Sequence, residues 1–186
     1  MEPRIVYNRH RHRVILRSAV AEDAAALMAY AEATALESRN LSREPGEFSR
    51  TMTVEKEAAF LERLENADTG LYLLAECDGD IAGTLVFTRG LQSRIGHSGH
   101  FGMSVRKSHW RTGLGSLLVE GLLQWARAVP SLRRIQLEVL TDNDAAIALY
   151  RKFGFEQEGI HKKSFCVDGT YKDTFSMALL LGSETL

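Results

Sequence analysis

Residues 103–125 read MSVRKSHWRTGLGSLLVEGLLQW, and the rest of the chain can be placed around this stretch. At its start, Phe101, Met103 and Val105 alternate with smaller or polar residues, which predicts a strand. A glycine turn follows, after which apolar residues recur at the spacing of one helix face. That face consists of Leu114, Leu117, Leu118, Gly121, Leu122 and Trp125. The stretch therefore predicts a strand, a tight turn and an amphipathic helix that packs on a sheet.

The turn from Arg111 to Gly115 predicts an anion site. The first N–H groups of a helix have no partner inside the helix, and the helix dipole places positive charge at the same end. A phosphate is the usual ligand of such a turn. Gly113 and Gly115 would let the backbone approach the ligand, and Arg111 adds a positive charge. For an isolated Gly-x-Gly pair, a turn that needs glycine only for packing is an equal alternative.

Two familiar phosphate loops are excluded by the residues that follow the turn. A P-loop ends in Gly-Lys followed by Ser or Thr, whereas Ser116 comes directly after Gly115. A dinucleotide-binding fingerprint needs a third glycine at the position of Leu118. If the turn binds a phosphate, the ligand therefore belongs to another class.

The composition is that of an ordinary globular protein. A length of 186 residues predicts a single domain over residues 1–186. The 23 Lys and Arg residues balance 24 Asp and Glu residues, so neither nucleic acid nor an acidic membrane surface is expected as a partner. No apolar run approaches the roughly 20 residues that cross a bilayer.

The N-terminus and the cysteines bear on partners and location. Residues 1–13 are rich in Arg and His and lack an apolar signal core. They predict a loose, solvated basic arm, with the binding of an acidic partner as the alternative. Cys77 and Cys166 lie far apart without metal-ligand spacing, which predicts reduced thiols, no metal site and a cytoplasmic protein.

Periodicity along the chain predicts strand, two helices, three strands, helix, strand, helix and two strands. The first strand is expected at Val14–Arg17, and the second helix at about Val54–Glu65. Residues 34–53 have no clear period and form a candidate substrate lid. The pairs Asp78-Gly79 and Asp168-Gly169 each predict a hairpin.

This order predicts an α/β fold with a mixed, mainly antiparallel sheet of about seven strands and helices on both faces. The helix between the fourth and fifth strands allows those two to lie parallel through a right-handed crossover. If the parallel pair splays apart, a crevice opens at the carboxyl ends of its strands, where ligands of α/β folds commonly bind.

A second motif, NDAAIALYRKFGF at residues 143–155, resembles the segment Asn-x-x-Ala-x-x-Leu-Tyr-x-x-x-Gly-Phe of the GNAT N-acetyltransferases. The glycine turn resembles the Gln/Arg-x-x-Gly-x-Gly/Ala pyrophosphate loop of the same family, with Trp110 in the first position. The two matches lie about thirty residues apart in the order found in the family, so joint chance occurrence is much less probable than either alone. The resemblance implies a GNAT fold and acetyl-CoA as co-substrate.

The resemblance also implies site residues. Backbone amides of the turn would hold the CoA pyrophosphate, the strand before it would pair with the pantetheine arm like an added strand, and an Asn side chain would bond to the same ligand. The cofactor-binding residues expected in this way are Met103, Ser104, Val105, Arg111, Thr112, Gly113, Leu114, Gly115, Ser116 and Asn143.

Catalytic roles follow from the same resemblance. Tyr150 would hydrogen-bond the thioester sulfur and protonate the leaving thiolate, for which a phenol with a pKa of ~10 is suited. The alternative for Tyr150 is a core aromatic with its hydroxyl in a polar notch. Acyl transfer also needs a general base, for which the candidates are Glu76, His97, His100 and Glu138, with His100 and Glu138 preferred. Each could instead be a satisfied strand or loop residue.

The function predicted from the resemblance is acetyl transfer from acetyl-CoA to a primary amine by direct attack in a ternary complex. The amine could be a small amine, an amino acid or a protein N-terminus, and neither cysteine lies in a motif that would support a cysteine nucleophile. A non-catalytic acyl-CoA-binding or sensing module is the alternative, and a structural domain without ligand is a third. The edge of the last strands leaves a homodimer open.

Overall fold

The computed structural model of this chain describes residues 2–66 and 70–182. The predicted single domain also includes residues 1, 67–69 and 183–186, which lie outside the described residues. The strands of the described part are β1 (Arg4–Tyr7), β2 (Arg13–Ser18), β3 (Gly70–Cys77), β4 (Asp80–Arg89), β5 (Ser98–Val105), β6 (Arg134–Leu140), β7 (Glu156–Val167) and β8 (Thr170–Leu180). Its α-helices are α1 (Ala24–Glu37), α2 (Glu47–Thr51), α3 (Val54–Asn66), α4 (Leu114–Arg127) and α5 (Asp144–Lys152).

The strands form one sheet in the order β1-β2-β3-β4-β5-β6-β8-β7. Every neighbouring pair is antiparallel except β5 and β6, which are parallel and correspond to the predicted fourth and fifth strands. Buried side chains of α4 and α5 pack on one face of the sheet, and those of α1 and α3 pack on the other. The predicted mixed sheet with helices on both faces is therefore confirmed, with one strand more than expected.

The additional strand is β1, which lies in the segment predicted to be a loose arm. It pairs antiparallel with β2, from Arg4 opposite Leu16 to Tyr7 opposite Arg13. At the hairpin tip the buried Asn8 side chain accepts hydrogen bonds from the backbone N–H groups of His10 and His12, each at 3.0 Å. The prediction of a loose arm over residues 1–13 is therefore wrong for this hairpin. Its charged side chains obscured a strand too short for a clear period.

Both Asp-Gly hairpins are confirmed. Asp78 and Gly79 have φ of 54° and 90°, and Asp168 and Gly169 have φ of 49° and 75°. Two consecutive residues with positive φ match the twist of the flanking strands, which is why Asp-Gly is favoured there. Within residues 34–53, α1 continues to Glu37 and α2 supplies a short helix. In the described chain, no helix combines the length and the hydropathy that crossing a bilayer requires.

The parallel pair splays apart after three residue pairs. Ser98 lies opposite Arg134, Gly99 opposite Ile135 and His100 opposite Gln136. Beyond these positions β5 continues to Val105 and β6 to Leu140 without pairing to each other. We call this gap the wedge; it opens at the carboxyl ends of the two strands, beside the turn that starts α4, and it matches the predicted crevice.

Candidate active site

The turn that starts α4 presents a row of free backbone donors at the mouth of the wedge. Arg111 and Gly113 have φ of 63° and 92°, and the first bond of the helix runs from the N–H of Leu117 to the carbonyl oxygen of Gly113 at 3.2 Å. Within the described residues, none of the backbone amides from Arg111 to Ser116 donates a hydrogen bond. Consecutive unpaired amides at a helix start form a concave anion site. The arrangement therefore fits a diphosphate.

The two glycines of the turn serve different purposes. Gly113 needs its positive φ, and a Cβ atom placed on it would lie 2.8 Å from Cγ of Arg9. A Cβ atom on Gly115 would lie 3.0 Å from Cε of Met103 and 3.1 Å from Cδ2 of Leu149. Close packing therefore leaves no room for a side chain at position 115, as the packing alternative raised from the sequence supposes. Binding of a ligand by the amide of Gly115 stays a prediction.

Trp110, which departs from the usual first residue of the loop, ties the turn to the sheet. Its indole N–H donates to the carbonyl oxygen of Val105 at 2.7 Å, and the hydroxyl of Thr112 donates to the carbonyl oxygen of His109 at 2.7 Å. These bonds fix the turn against the end of β5. Of the strand residues expected to pair with a pantetheine arm, Val105 thus already uses its carbonyl oxygen.

The stretch of β5 that borders the wedge is open along its edge and, at Gly102, over one face of the sheet. A Cβ atom placed on Gly102 would meet no atom within 4 Å. From Phe101 onward this edge has no strand partner on the β6 side, so backbone groups there are available to a ligand that lies like a strand. Met103 and Ser104, which the resemblance predicts to pair with the pantetheine arm, lie on this stretch; the contact itself stays a prediction.

Tyr150 lies on α5 among aromatic rings of the core. Its ring centroid is 5.7 Å from that of Phe101 and 6.0 Å from that of Phe155. The side chain is 7 % exposed, and its hydroxyl makes no hydrogen bond with any described residue. A satisfied core tyrosine would have a polar partner. Burial raises the pKa of this phenol, so it is fully protonated at neutral pH.

Asn143 is the N-cap of α5. Its Oδ1 accepts a hydrogen bond from the N–H of Ala146 at 3.3 Å, which satisfies a donor that the helix start leaves unpaired. This gives the residue a structural role in addition to the predicted contact with the cofactor. The side-chain amide nitrogen remains the group that could reach a ligand.

His100 and Glu138 lie on the face of the sheet opposite Tyr150. They occupy alternate positions to the core residues Phe101 and Leu137 on β5 and β6. Burial lowers the pKa of His100, and the nearby Glu138 carboxylate raises it by a smaller amount. His100 is therefore mainly neutral at physiological pH and can accept a proton. The structure thus brings the two preferred base candidates together on one side of the wedge.

Sequence reasoning missed the groups that surround Glu138. Nδ1 of His161 lies 3.4 Å from one carboxylate oxygen, and the hydroxyl of Thr174 donates to the other at 3.4 Å. The hydroxyl of Ser164 lies 2.8 Å from that of Thr174. These residues belong to β7 and β8, which the sequence predicted as a hairpin. The antiparallel pairing of β8 with β6 was not readable from local pattern.

The other two base candidates lie away from the wedge. Glu76 accepts a hydrogen bond from Nε of Arg17 at 3.0 Å, on β3, two strands removed from β5. His97 directly precedes β5 at its paired, closed end, where its carbonyl oxygen accepts from the N–H of Arg133 at 2.8 Å. Neither is placed to serve a reaction at the open end.

Comparison with known proteins agrees with this geometry. The profile of the acetyltransferase (GNAT) family matches residues 35–155. This chain belongs to the GNAT acetyltransferase family. The L-amino acid N-acetyltransferase AaaT of Escherichia coli (strain K12) is 32 % identical over 143 residues, which cover 75 % of this chain and 88 % of AaaT.

Two solved structures are similar to that of this GNAT acetyltransferase. The GNAT acetyltransferase of Streptococcus pneumoniae superposes with a TM-score of 0.87 at 35 % identity, covering 90 % of this chain and 99 % of its own. The yncA protein of Salmonella typhimurium, solved with acetyl-CoA, has a TM-score of 0.80 at 20 % identity, covering 93 % and 96 %, and shares the fold. The family profile begins at residue 35, so the β1–β2 hairpin of this acetyltransferase lies outside the matched segment.

Proposed function

We propose that this GNAT acetyltransferase transfers the acetyl group of acetyl-CoA directly to a primary amine in a ternary complex. The observation that carries the proposal is the row of free amides from Arg111 to Ser116 at the mouth of the wedge. Those amides would hold the diphosphate, the free edge of β5 at Met103 and Ser104 would hold the pantetheine arm, and the side chain of Asn143 would add a contact. Acetyl-CoA would supply an activated acyl thioester.

The proposed proton donor is Tyr150. Its side chain is buried, its hydroxyl has no hydrogen-bond partner among the described residues, and burial raises its pKa, so that it is protonated at neutral pH. In the wedge a departing thiolate would be desolvated as well, which raises its affinity for a proton, because a thiolate that leaves without a proton in a desolvated site is unfavourable. Tyr150 would donate a hydrogen bond to the sulfur and then its proton.

The proposed base side of the wedge consists of His100 and Glu138. An attacking amine must be neutral, so a group on this side has to take its proton, directly or through water. His100 is mainly neutral at physiological pH because burial lowers its pKa. Glu138 would stabilise the imidazolium that forms. The general acid, Tyr150, would thus act from one face of the sheet, and the general base from the opposite face.

A relative of this chain suggests which class of amine acceptor to test first. The name of AaaT says that it acetylates L-amino acids, which makes amino acids the first acceptors to test. Small amines and protein N-termini are the other classes, and residues 34–53 would form part of the acceptor wall or a lid over it. We expect a cytoplasmic location, because the cysteines are predicted to be reduced. A homodimer would form along the exposed β7 edge of the sheet.

Thiol release from acetyl-CoA with a panel of amino acids, polyamines and peptides tests the proposal. Tyr150→Phe should lower kcat about 100-fold at neutral pH. The loss should shrink as the pH rises, because a thiol with a pKa of ~8.5 then leaves as thiolate without help. Tyr171→Phe is the matched control, since that ring is exposed on the β7–β8 hairpin.

Two results would contradict the proposal. Acetyl-CoA binding without turnover on any amine would favour the non-catalytic binding module. Equal kcat values for wild type and Tyr150→Phe at neutral pH would remove Tyr150 from the reaction.

A further inference from the structure

The tip of the β1–β2 hairpin rests on the turn that starts α4. The backbone N–H of Arg9 donates to the carbonyl oxygen of Thr112 at 2.8 Å. A Cβ atom on Gly113 would lie 2.8 Å from Cγ, 3.3 Å from Cδ and 3.4 Å from Nε of Arg9. The aliphatic stem of Arg9 therefore lies across Gly113, and Nε of its guanidinium group lies next to this residue, whose amide is one of the free ones.

The hairpin tip is built to hold Arg9 in this position. Asn8 is 6 % exposed, and its side chain accepts the N–H groups of His10 and His12, while its backbone bonds to His12 and Arg11. The side-chain bonds close the tip from within. Because both the tip and the Arg9 backbone are fixed, only the side chain of Arg9 has to be ordered when it binds a ligand.

Three cations from separate elements surround the start of α4. Arg9 comes from the hairpin, Arg111 from the turn and Lys152 from α5, with Nζ of Lys152 3.5 Å from the hydroxyl of Ser116. Over residues 2–66 and 70–182, none of the three forms an ion pair with a carboxylate, whereas Arg17, Arg106 and Arg134 each do. Like charges gathered at the positive end of a helix repel one another. An anion with several charges would relieve this repulsion.

We propose that Arg9 binds a phosphate group of acetyl-CoA, which makes the β1–β2 hairpin a working part of the donor site. This inference rests on the proposed function, and it concerns a segment before residue 35, where the family profile begins. Acetyl-CoA carries a diphosphate and a 3′-phosphate, and a guanidinium group can bind either in bidentate fashion. The competing explanation is that the hairpin only braces the turn.

Arg9→Met separates charge from packing, because methionine keeps Cβ and Cγ and a side chain of similar reach. The control is Arg13→Met, which removes the same charge from an exposed position on β2 of the same hairpin. Calorimetric titration of acetyl-CoA should show a Kd about tenfold higher for Arg9→Met and almost unchanged for Arg13→Met. Arg9→Lys should fall between Arg9→Met and wild type. The decline of affinity with added salt should be shallower for Arg9→Met than for Arg13→Met.

Truncated donors identify the contact. With dephospho-acetyl-CoA, which lacks the 3′-phosphate, the difference between Arg9→Met and wild type should vanish if Arg9 binds that group and persist if it binds the diphosphate. With S-acetylpantetheine, which lacks all three phosphates, thiol release should be equal for both proteins. Either pattern supports a phosphate contact.

Other patterns overturn the inference. Equal acetyl-CoA affinities for Arg9→Met and wild type would exclude a contact. If Arg9→Met loses as much activity relative to wild type with S-acetylpantetheine as it does with acetyl-CoA, the hairpin only braces the turn. Melting temperatures of both variants show whether folding is retained, and Arg9→Lys keeps the charge if Arg9→Met fails to fold. If the wild type does not bind acetyl-CoA at all, the result would instead contradict the proposed function.

Discussion

The hydroxyl groups of Tyr30 and Ser104 lie 3.0 Å apart and join helix α1 to strand β5 at the edge of the wedge. The Ser104 hydroxyl also lies 3.2 Å from that of Thr84 on β4. Burial raises the pKa of Tyr30 to about 12, so this phenol stays protonated throughout the working range of pH. The contact therefore fixes the strand expected to hold the pantetheine arm against the helix that leads into residues 34–53.

Tyr30→Phe should lower the free energy of unfolding by about 1 kcal/mol, the usual loss for one hydrogen bond. Ser104 keeps its contact with Thr84 in this variant, so no buried hydroxyl is stranded. Urea unfolding measures the change, with the exposed Tyr171→Phe as control. If both variants unfold at the same urea concentration, the hydroxyl pair does not stabilise the fold.

Gly113→Ala should damage the anion site through two separate effects. A side chain at φ of 92° is strained by about 1 kcal/mol, and the added Cβ would also press on Arg9 at 2.8 Å. Gly79→Ala is the matched control, because Gly79 has φ of 90° in the β3–β4 hairpin and its Cβ would meet nothing within 4 Å. Both variants should lose stability, but only Gly113→Ala should also lose acetyl-CoA affinity.

Unfolding curves and calorimetric titrations of the two glycine variants separate these effects. The difference in unfolding free energy between them isolates the contact with Arg9. Unchanged acetyl-CoA affinity for Gly113→Ala would mean that the geometry of this turn does not matter to donor binding.

The organising stretch was predictable because its signals are local. Alternation at Phe101, Met103 and Val105 and helical spacing from Leu114 onward specify strand, turn and helix without knowledge of the neighbours. The crossover helix between two strands then dictates a parallel pair, which β5 and β6 form. The residue at which β5 and β6 stop pairing could not be predicted, because it depends on how the strands pair across the whole sheet.

What the sequence did not reveal depends on contacts between distant segments. The β1–β2 hairpin pairs over only four residues, and Arg9 meets Gly113 more than a hundred positions away. His161 and Thr174 reach Glu138 only because β8 pairs with β6. Such contacts are set by tertiary packing and leave no short-range period.

The ion pair between Arg17 and Asp23 should contribute measurably to stability. The guanidinium of Arg17 donates to both carboxylate oxygens, at 2.6 and 2.8 Å, and the N–H of Val20 donates to the same carboxylate at 2.8 Å. Both side chains are mostly buried, so solvent screening is limited. Asp23→Asn should lower the free energy of unfolding by about 2 kcal/mol at pH 7.

The effect of Asp23→Asn should depend on pH in a defined direction. Its hydrogen bond to Arg17 lowers the pKa of Asp23 in the folded protein. The stabilisation is therefore complete above the unfolded value of ~3.9 and is lost as the pH falls through the lower folded value. Asp168→Asn is the control, since the Arg39–Asp168 pair has a similar distance of 2.7 Å but is exposed and should contribute little. Equal effects of both variants at pH 7 would contradict the argument.

Glu138→Gln and His100→Gln should separate the two base candidates by their pH profiles. If His100 is the base, kcat/KM rises with pH as the imidazolium loses its proton, and the acid limb lies below the ordinary value of ~6.5 because burial lowers the pKa. Removing the Glu138 charge takes away the influence that raises this pKa. The limb of Glu138→Gln should therefore move to still lower pH while the plateau is nearly kept.

The opposite assignment gives a different pattern. If Glu138 is the base, Glu138→Gln should lower the plateau about 100-fold, and His100→Gln should leave it almost intact. Glu156→Gln, an exposed substitution on β7, shows the effect of losing a carboxylate elsewhere. If the acid limb of the kcat/KM profile stays in place in Glu138→Gln, His100→Gln and Glu156→Gln, both base candidates are excluded. Neither the group that titrates nor the charge that shifts its pKa would then lie on this face of the wedge.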